Sequence, residues 1–232
     1  MSTLNEITYN ILSSVRPHIT DDEDLTMEKI EHDVNIKRAL FIRNELNKNR
    51  TIDPNIIQSL GCLELELSTP VDCCIDLDIN CVVLRTKLPI PNSIELHNRN
   101  LITRVSPVVK TKNRFNFVAF ERFVNSGNGQ FNKNDIFATL HNDGKIYLKS
   151  NDINLNLITH ITVEGVFEDP REVAKFTHCS GEPCFTGDSK YPLNMWMEEY
   201  IKNALVEEYL KYTLKSTKDN VNDGKSESTD NY

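Results

Sequence analysis

The longest apolar pattern with a helical period runs from Leu25 to Lys48. Thr26 is a good N-cap residue for this segment, and Leu25 with Ile30 can form a hydrophobic staple that fixes how the chain enters the helix. Apolar side chains recur along one stripe, which we expect to face the core. These are Met27, Ile30, Val34, Phe41 and Ile42. The pattern therefore predicts one long amphipathic helix near the start of the chain.

Two features flank that stripe. Ile36 and Leu40 project from the opposite side of the predicted helix. The middle of the helix must therefore be covered on both sides, and the second cover is either another layer of the same fold or a neighbouring subunit. The acidic run Asp21–Asp24 stands just before the helix, where the macrodipole favours negative charge. We interpret this run as solvated charges, with a binding site as the alternative.

Two shorter helices are predicted on either side. The first has Leu4, Ile7 and Val15 at helical spacing and ends at Pro17. The second covers Thr51 to Leu60, where Asp53 and Pro54 suit the cap and first-turn positions, a staple joins Ile52 to Ile57, and Gly61 suits the end. Residues 1–60 are therefore expected to form an N-terminal helical part with three helices.

The period changes to two at Cys62, where leucines and then other apolar residues alternate with acidic ones. We expect residues 61–167 to form a mostly antiparallel, β-rich insertion, with Asn142–Gly144 as a tight hairpin turn. The strand candidates are Leu63 to Leu67, Val71 to Ile79, Val82 to Thr86, Ser93 to Leu96, Leu101 to Val109, Arg114 to Phe120, Lys145 to Lys149 and Leu155 to Phe167.

Helical signals return in residues 168–212. Asp169 and Pro170 form a cap and first-turn pair, and Leu193 to Tyr212 has an apolar stripe expected to face the core. That stripe consists of Leu193, Met197, Tyr200 and Ala204, with Trp196 beside it. Residues 213–232 have too few apolar side chains to offset their ordering entropy and are predicted to be a disordered tail. The fold class is α+β, with the terminal helices packed together around the β-rich insertion.

Composition narrows the classes of function. An apolar fraction of 39% and a charged fraction of 26% are typical of a soluble protein, and the net charge of −8 argues against wrapping nucleic acid. The first residues lack the basic and apolar regions of a signal peptide, and no apolar run is long enough to span a membrane. We expect a soluble product made in the cytoplasm.

Candidate chemistry is sparse. The cysteines lack the regular spacing of a secreted disulfide scaffold, so buried free thiols are the expectation. They are Cys62, Cys73, Cys74, Cys81, Cys179 and Cys184. A zinc site from Cys73 or Cys74 with Cys81, Cys179 and Cys184 is the alternative, although no CxxC pair exists. The histidines show no metal-binding or nucleophile-pairing motif. We therefore assign no catalytic, cofactor-binding or metal-binding residue, and no cofactor.

Several segments together resemble the ring proteins of the head-to-tail connector in crAss-like and related short-tailed bacteriophages. The resemblance covers most of residues 20–212. The segments that carry it are DLTMEKIEHDVNIKRALFIRNELNK, SLGCLELEL, VLRTKLPIP, ITVEGVFEDPREVAKF and YPLNMWMEEYIKNALVEEYLK.

The resemblance implies a virion structural protein without enzymatic activity. It implies a homo-oligomeric ring, twelvefold in symmetry, stacked beneath the portal protein and against other ring or tail proteins. Genomic DNA would pass through its lumen without specific binding, and no membrane would be involved. Two alternatives from other classes are a small cytosolic enzyme that uses the thiol of Cys179 or Cys184, and a monomeric binding module.

Overall fold

A computed structural model describes residues 2–18, 25–48, 51–68, 82–97, 99–108, 115–127, 129, 132, 134–151 and 153–216. The chain has an α+β fold in which helices from both ends pack together beside a central, mostly antiparallel sheet. The α-helices are α1 (Leu4–Val15), α2 (Met27–Asn47), α3 (Phe120–Val124) and α4 (Met195–Ser216). Single 3₁₀ turns or short 3₁₀ helices occur at Arg16–His18, Pro54–Ile56, Ile153–Leu157 and Pro170–Lys175.

The main sheet has seven strands in the order β5-β9-β1-β2-β8-β7-β6. Only the β6–β7 pair in it is parallel among the described strands. The backbone N–H of Phe115, just before β6, donates to the carbonyl of Val105 in β5 at 2.9 Å, so the sheet curves until its two outer strands meet. The strands are β1 (Gln58–Ser68), β2 (Val82–Thr86), β3 (Glu95–Leu96), β4 (Arg99–Asn100), β5 (Ile102–Pro107), β6 (Asn116–Phe117), β7 (Phe137–Leu140), β8 (Ile146–Ser150) and β9 (His160–Gly165), with β3 and β4 forming a separate hairpin.

The predicted long helix is confirmed as α2. Its N-cap is Thr26, whose side-chain oxygen accepts a hydrogen bond from the backbone N–H of Lys29 at 3.3 Å. Ile30, Val34 and Ile42 are fully buried in the core that the helices share with the sheet. Met27 was predicted in the same stripe and is exposed, because the stripe is covered only from Ile30 onward.

The predicted helix from Thr51 to Leu60 is wrong. Asp53 does cap a turn, since its carboxylate accepts the N–H of Asn55 at 2.8 Å, but the turn is only Pro54–Ile56 long. Ile57 is already extended, and Gln58 starts β1 by pairing with Gly165 of β9. Long-range pairing in the sheet overrides a local start signal that is correct in itself.

Gly61 is a strand residue and does not end a helix. A Cβ at this position would lie 2.6 Å from the Cα of His178 and 2.7 Å from the carbonyl oxygen of Thr177. The neighbouring N–H of Cys62 donates to that carbonyl at 3.0 Å. Glycine is therefore required here because the chain at 177–178 crosses directly over the strand.

The strand predictions are largely confirmed in position, although several strands are shorter than predicted and β1 begins five residues earlier, at Gln58. Val82 to Thr86 is β2, and the Asn142–Gly144 turn joins β7 to β8 with Gly144 at a φ of 73°. The Arg114 to Phe120 candidate gives only the two-residue β6, and the first three residues of the Leu155 to Phe167 candidate are 3₁₀ helix. Strand β7 and helix α3 were not predicted. The Val71 to Ile79 candidate lies outside the described residues.

The C-terminal segment follows the prediction with two changes. Asp169 caps as expected, with its carboxylate accepting the N–H of Arg171 at 2.9 Å, but the helix it starts is 3₁₀. Helix α4 continues to Ser216, four residues past its predicted end. The rest of the predicted disordered tail, residues 217–232, lies outside the described part of the chain. The division of the chain at residues 60, 167 and 212 stays a prediction.

A disulfide contradicts the expectation of free thiols. Cys62 in β1 is bonded to Cys179 in the loop before α4, with Cα atoms 5.1 Å apart across a sequence separation of 117 residues. Cys73, Cys74 and Cys81 are not among the described residues. The disulfide therefore fixes the C-terminal loop to the first strand of the sheet, close to the crossing at Gly61.

Arg38 is the largest fully buried side chain in the described structure. Its Nε donates to the carbonyl of Pro192 at 3.0 Å, and its Nη1 donates to the carbonyl of Phe167 at 2.8 Å. The guanidinium also lies 5.8 Å from the centre of the Tyr191 ring, and Tyr191 donates to Asn35 at 2.5 Å. Burial lowers the pKa of Arg38, against the opposing fields of Tyr191 and Asp169. Arg38 thus ties α2 to the end of the sheet and to the start of α4.

We expect Arg38→Met to lower the free energy of unfolding by about 2–4 kcal/mol, because two buried carbonyls lose their donors. Urea unfolding of the purified chain measures this. Arg43→Met, an exposed change on the same helix, is the matched control and should shift the free energy by less than about 0.5 kcal/mol. An unchanged or higher stability of Arg38→Met would show that burying the charge costs as much as its hydrogen bonds contribute.

We also expect the double variant Cys62→Ser, Cys179→Ser to be less stable than the oxidised chain by about 2–5 kcal/mol, since the disulfide closes a long loop. The matched control is Cys184→Ser, which leaves the disulfide intact. Peptide mapping without reductant should yield one linked peptide pair containing Cys62 and Cys179. Finding both residues as free thiols in the oxidised protein would contradict the disulfide assignment.

Candidate assembly surface

An apolar patch lies on the solvent side of α2 and α4, where the two long helices run side by side. Ile36 and Leu40 are one helical turn apart on α2 and are 43% and 50% exposed, while Trp196 and Tyr200 are one turn apart on α4 and are 48% and 59% exposed. We call these four side chains, with the half-buried Phe41, the helical patch. Neighbouring large apolar side chains exposed to this degree mark interaction sites more often than scattered single ones do.

Phe41 joins the two halves of the patch. Its ring centre lies 5.5 Å from that of Trp196 in an edge-to-face arrangement and 4.7 Å from that of Tyr200. Both arrangements are favourable for aromatic pairs. Leu40 directly precedes Phe41 on α2 and so lies about 100° around the helix from it, and Ile36 lies one turn from Leu40 on the same side.

Polar contacts hold the rest of the α2–α4 pair in the same antiparallel alignment. Tyr209 donates to the carboxylate of Asp33 at 2.7 Å, and the ammonium of Lys37 lies 2.6 Å from the carboxylate of Glu208. Burial, together with the hydrogen bond to Asp33, raises the pKa of Tyr209 well above its ordinary value. Tyr209 therefore stays a neutral hydrogen-bond donor. Contacts between α2 and α4 thus extend from Phe41 to the bond between Tyr209 and Asp33.

The structure answers the question that the sequence left open for Ile36 and Leu40. No second layer of the described fold covers them, since both are exposed. The assignment of Tyr200 to a core face is wrong, and Trp196, predicted beside that stripe, is also exposed. Leu193, just before α4, and Met197 are buried as predicted, and the buried face of α4 continues with Ile201, Leu205 and Tyr209. Apolar residues occur on two sides of α4, so the period alone did not show which side faces the core.

The thiol alternative loses one of its two candidates. Cys179 is bonded to Cys62, and Cys184 is the free cysteine of the described residues. The Sγ of Cys184 lies 3.8 Å from the Nδ1 of His178 and accepts the N–H of Gly61 at 3.2 Å. Burial raises the pKa of the Cys184 thiol, outweighing the bond from Gly61. A nucleophilic cysteine needs a lowered pKa, so this environment works against a thiolate.

The described residues contain no candidate metal site and no helix that could span a membrane. In the described ranges, no group of three or more His, Cys, Asp or Glu side chains could hold a metal ion. No described helix is both long and apolar enough to cross a membrane. The zinc alternative needs Cys73 or Cys74 and Cys81, which lie outside these ranges. The absence of catalytic, cofactor-binding and metal-binding residues stays a prediction.

Comparison with known proteins identifies one family. A family model described as phage tail ring protein 2 matches residues 6–231, which include all nine strands and nearly all of the four α-helices of the described structure. No significant match to a curated protein was found. The match spans nearly the whole chain and agrees with the resemblance that the sequence segments show. The chain therefore belongs to the phage tail ring protein 2 family of crAss-like phage ring proteins.

Proposed function

We propose that the protein forms a twelvefold ring in the head-to-tail connector, stacked beneath the portal, and that the ring is part of the conduit for genomic DNA. Membership of a phage tail ring family makes the chain a virion component that assembles with other tail proteins. That match over residues 6–231 is the observation that carries the proposal. The position beneath the portal, the twelvefold symmetry and the role as conduit are the proposed parts.

The helical patch supplies a surface for contact between copies. A ring subunit must make the same contact with each neighbour, and repeating one modest contact around a template gives a stable assembly from weak interfaces. Ile36 and Leu40 lie opposite the buried stripe of α2, so a neighbouring copy can cover them without disturbing the subunit's own core. Free subunits would then stay monomeric until the portal gathers them.

The charge balance suits a conduit. A wall with many Lys or Arg contacts to phosphate would bind DNA tightly and slow its passage. The chain has 34 acidic against 26 basic residues, which gives the net charge of −8. Such a surface repels the DNA backbone overall, so we infer that DNA passes through the lumen without being specifically held.

We predict that Ile36→Asp with Leu40→Asp abolishes incorporation into portal-bound rings while the monomer stays folded, because the charges oppose burial at an interface. Mixing each variant with purified portal and measuring the mass of the complex by light scattering tests this. The wild type alone should scatter as a monomer and should add twelve chain masses in the presence of portal.

The matched control for that experiment is Leu88→Asp with Leu157→Asp, which changes two exposed leucines outside the helical patch in the same way. The control should still join rings. If the Ile36 and Leu40 variant unfolds, those residues belong to the subunit's own core. If the wild type is already dodecameric without portal, assembly does not need a template. If no ring forms with portal, the proposed position is wrong.

We also predict that the isolated chain binds duplex DNA no more tightly than a Kd of roughly 10⁻⁴ M at physiological salt. Fluorescence titration with a labelled duplex at several salt concentrations measures this. Micromolar binding that weakens steeply with salt would show instead that the protein holds the phosphate backbone.

A further inference from the structure

A cavity of about 1030 Å³ lies where the two outer strands of the curved sheet meet. Its described walls come from β4, β5, β6, β7 and α3. The helical patch on α2 and α4 contributes no residue to it. The cavity is therefore a second surface feature, built from different elements.

Three arginines line the cavity: Arg99 in β4, Arg104 in β5 and Arg122 in α3. Within the described part of the chain, none of them forms an ion pair, whereas Arg85 and Arg171 each pair with a carboxylate. Asp135 is the one acidic residue in the described lining, and its carboxylate accepts a 3.4 Å hydrogen bond from Asn116. The described lining thus has a net positive charge.

Two buried polar atoms on the lining have no hydrogen-bond partner among the described residues. They are the hydroxyl oxygen of Thr139, whose residue is 1% exposed, and the Nε of Arg104. Buried polar groups are nearly always paired, so each unpaired one needs an explanation. An anionic oxygen in the cavity could accept from the hydroxyl and the guanidinium N–H only after a local shift of the lining, because each atom has less than 1 Å² of accessible surface.

The sequence from β4 to α3 is basic in an otherwise acidic chain. Residues 99–122 contain six basic residues and a single acidic one, Glu121. The basic residues are Arg99, Arg104, Lys110, Lys112, Arg114 and Arg122, of which Lys110, Lys112 and Arg114 lie outside the described residues. The opposite charge is concentrated in the four successive carboxylates of Asp21–Asp24.

We propose that the cavity binds the acidic run Asp21–Asp24 of the neighbouring copy in the ring. This inference rests on the proposed function, because it requires adjacent copies. A head-to-tail ring needs two different, complementary surfaces on each subunit. The arginine cavity and the acidic run are such a pair, since every copy carries both.

The position of the run fits the contact already proposed. Asp24 directly precedes Leu25, two residues before Thr26 caps α2, and α2 carries Ile36 and Leu40 on its exposed face. Along the chain, the acidic run therefore comes just before the helix that carries Ile36 and Leu40. The neighbour would receive the run at the end of its sheet where β5 meets β6.

Duplex DNA fits this cavity less well than an acidic peptide does. A side chain that enters the cavity can approach the half-buried Arg104 as well as the exposed Arg99 and Arg122. A duplex is a wide rod whose phosphates lie on its outside, and it would contact only the exposed Arg99 and Arg122. An acidic side chain can therefore approach all three arginines, which favours a peptide over a duplex.

The test uses a labelled peptide with the sequence of residues 18–26, HITDDEDLT, and fluorescence anisotropy against the full-length chain. The receptor carries Asp21→Asn, Asp22→Asn, Glu23→Gln and Asp24→Asn, so that its own run cannot compete. We expect saturable, salt-sensitive binding. We expect Arg99→Gln and Arg122→Gln each to weaken the affinity for the peptide about tenfold, because each removes one charged hydrogen bond. Both residues are exposed, so neither change should affect folding.

Two matched controls make the result specific. Arg43→Gln removes an exposed arginine from α2 and should leave the affinity unchanged. A peptide with Asn and Gln in place of its four acidic residues should not bind. Equal binding of the acidic and amide peptides, unchanged affinity in the Arg99 and Arg122 variants, or displacement of the peptide by micromolar duplex DNA would each overturn the proposal.

Comparison with the unmodified chain as receptor separates a contact between copies from one within a copy. If the unmodified monomer binds the peptide as tightly as the amide receptor, its own run does not fill its own cavity, as we expect. If it binds at least about tenfold more weakly, the run acts within one chain and the contact between copies is wrong. Peptide binding does not require a ring, so the two proposals can fail separately. If rings form on the portal but the peptide does not bind, this inference alone is wrong. If the peptide binds but no ring forms, the proposed function is wrong.

Discussion

The buried guanidinium of Arg38 connects the three parts of the fold. It extends from α2 to the carbonyl of Phe167, where the chain leaves the sheet, and to the carbonyl of Pro192, where it approaches α4. Phe167 and Pro192 each lie more than 120 positions after Arg38 in the sequence. A buried cation is costly, and the two hydrogen bonds offset part of that cost although the Nη2 of Arg38 has no hydrogen-bond partner among the described residues, so both chain segments must stay in place. The disulfide between Cys62 and Cys179 also holds the loop before α4 against the sheet.

This constraint positions the surface that the protein offers to other copies. Because Pro192 is held against α2, the helix that begins at Met195 must lie alongside α2, and Phe41 meets Trp196 and Tyr200. The bond from Tyr209 to Asp33 continues the alignment further along both helices. The apolar side chains that remain exposed on α2 and α4 therefore lie on a rigid pair of helices. A rigid patch loses little entropy on association, which suits weak contacts that are repeated around a ring.

Local signals in the sequence were sufficient where local physics decides the structure. The caps at Thr26 and Asp169 and the turn at Gly144 are confirmed because each depends on residues only a few positions apart. The same kind of signal failed at Pro54, where pairing of Gln58 with Gly165 across the chain ended the helix after one turn. The disulfide was missed for the same reason, since the spacing of Cys62 and Cys179 shows nothing of their proximity in space.

The candidate surface was partly predictable. The helical period correctly placed Ile36 and Leu40 away from the core of α2, but it assigned Tyr200 of α4 to the wrong face because that helix has apolar residues on two sides. Arg38 and the cavity near Arg104 could not be found from the sequence, because a charged residue is expected at the surface unless the fold shows otherwise. Identification of the family depended on the combined pattern of several segments, not on any single chemical motif.

The most direct test of this assembly is an electron cryomicroscopy map of the intact virion in which the side chains of the connector can be traced. We expect twelve copies of this chain in a closed ring beneath the portal, with Ile36 and Leu40 of each copy covered by a neighbour. Density for the chain elsewhere in the particle, or a ring in which the helical patch faces solvent in every copy, would contradict the proposed assembly.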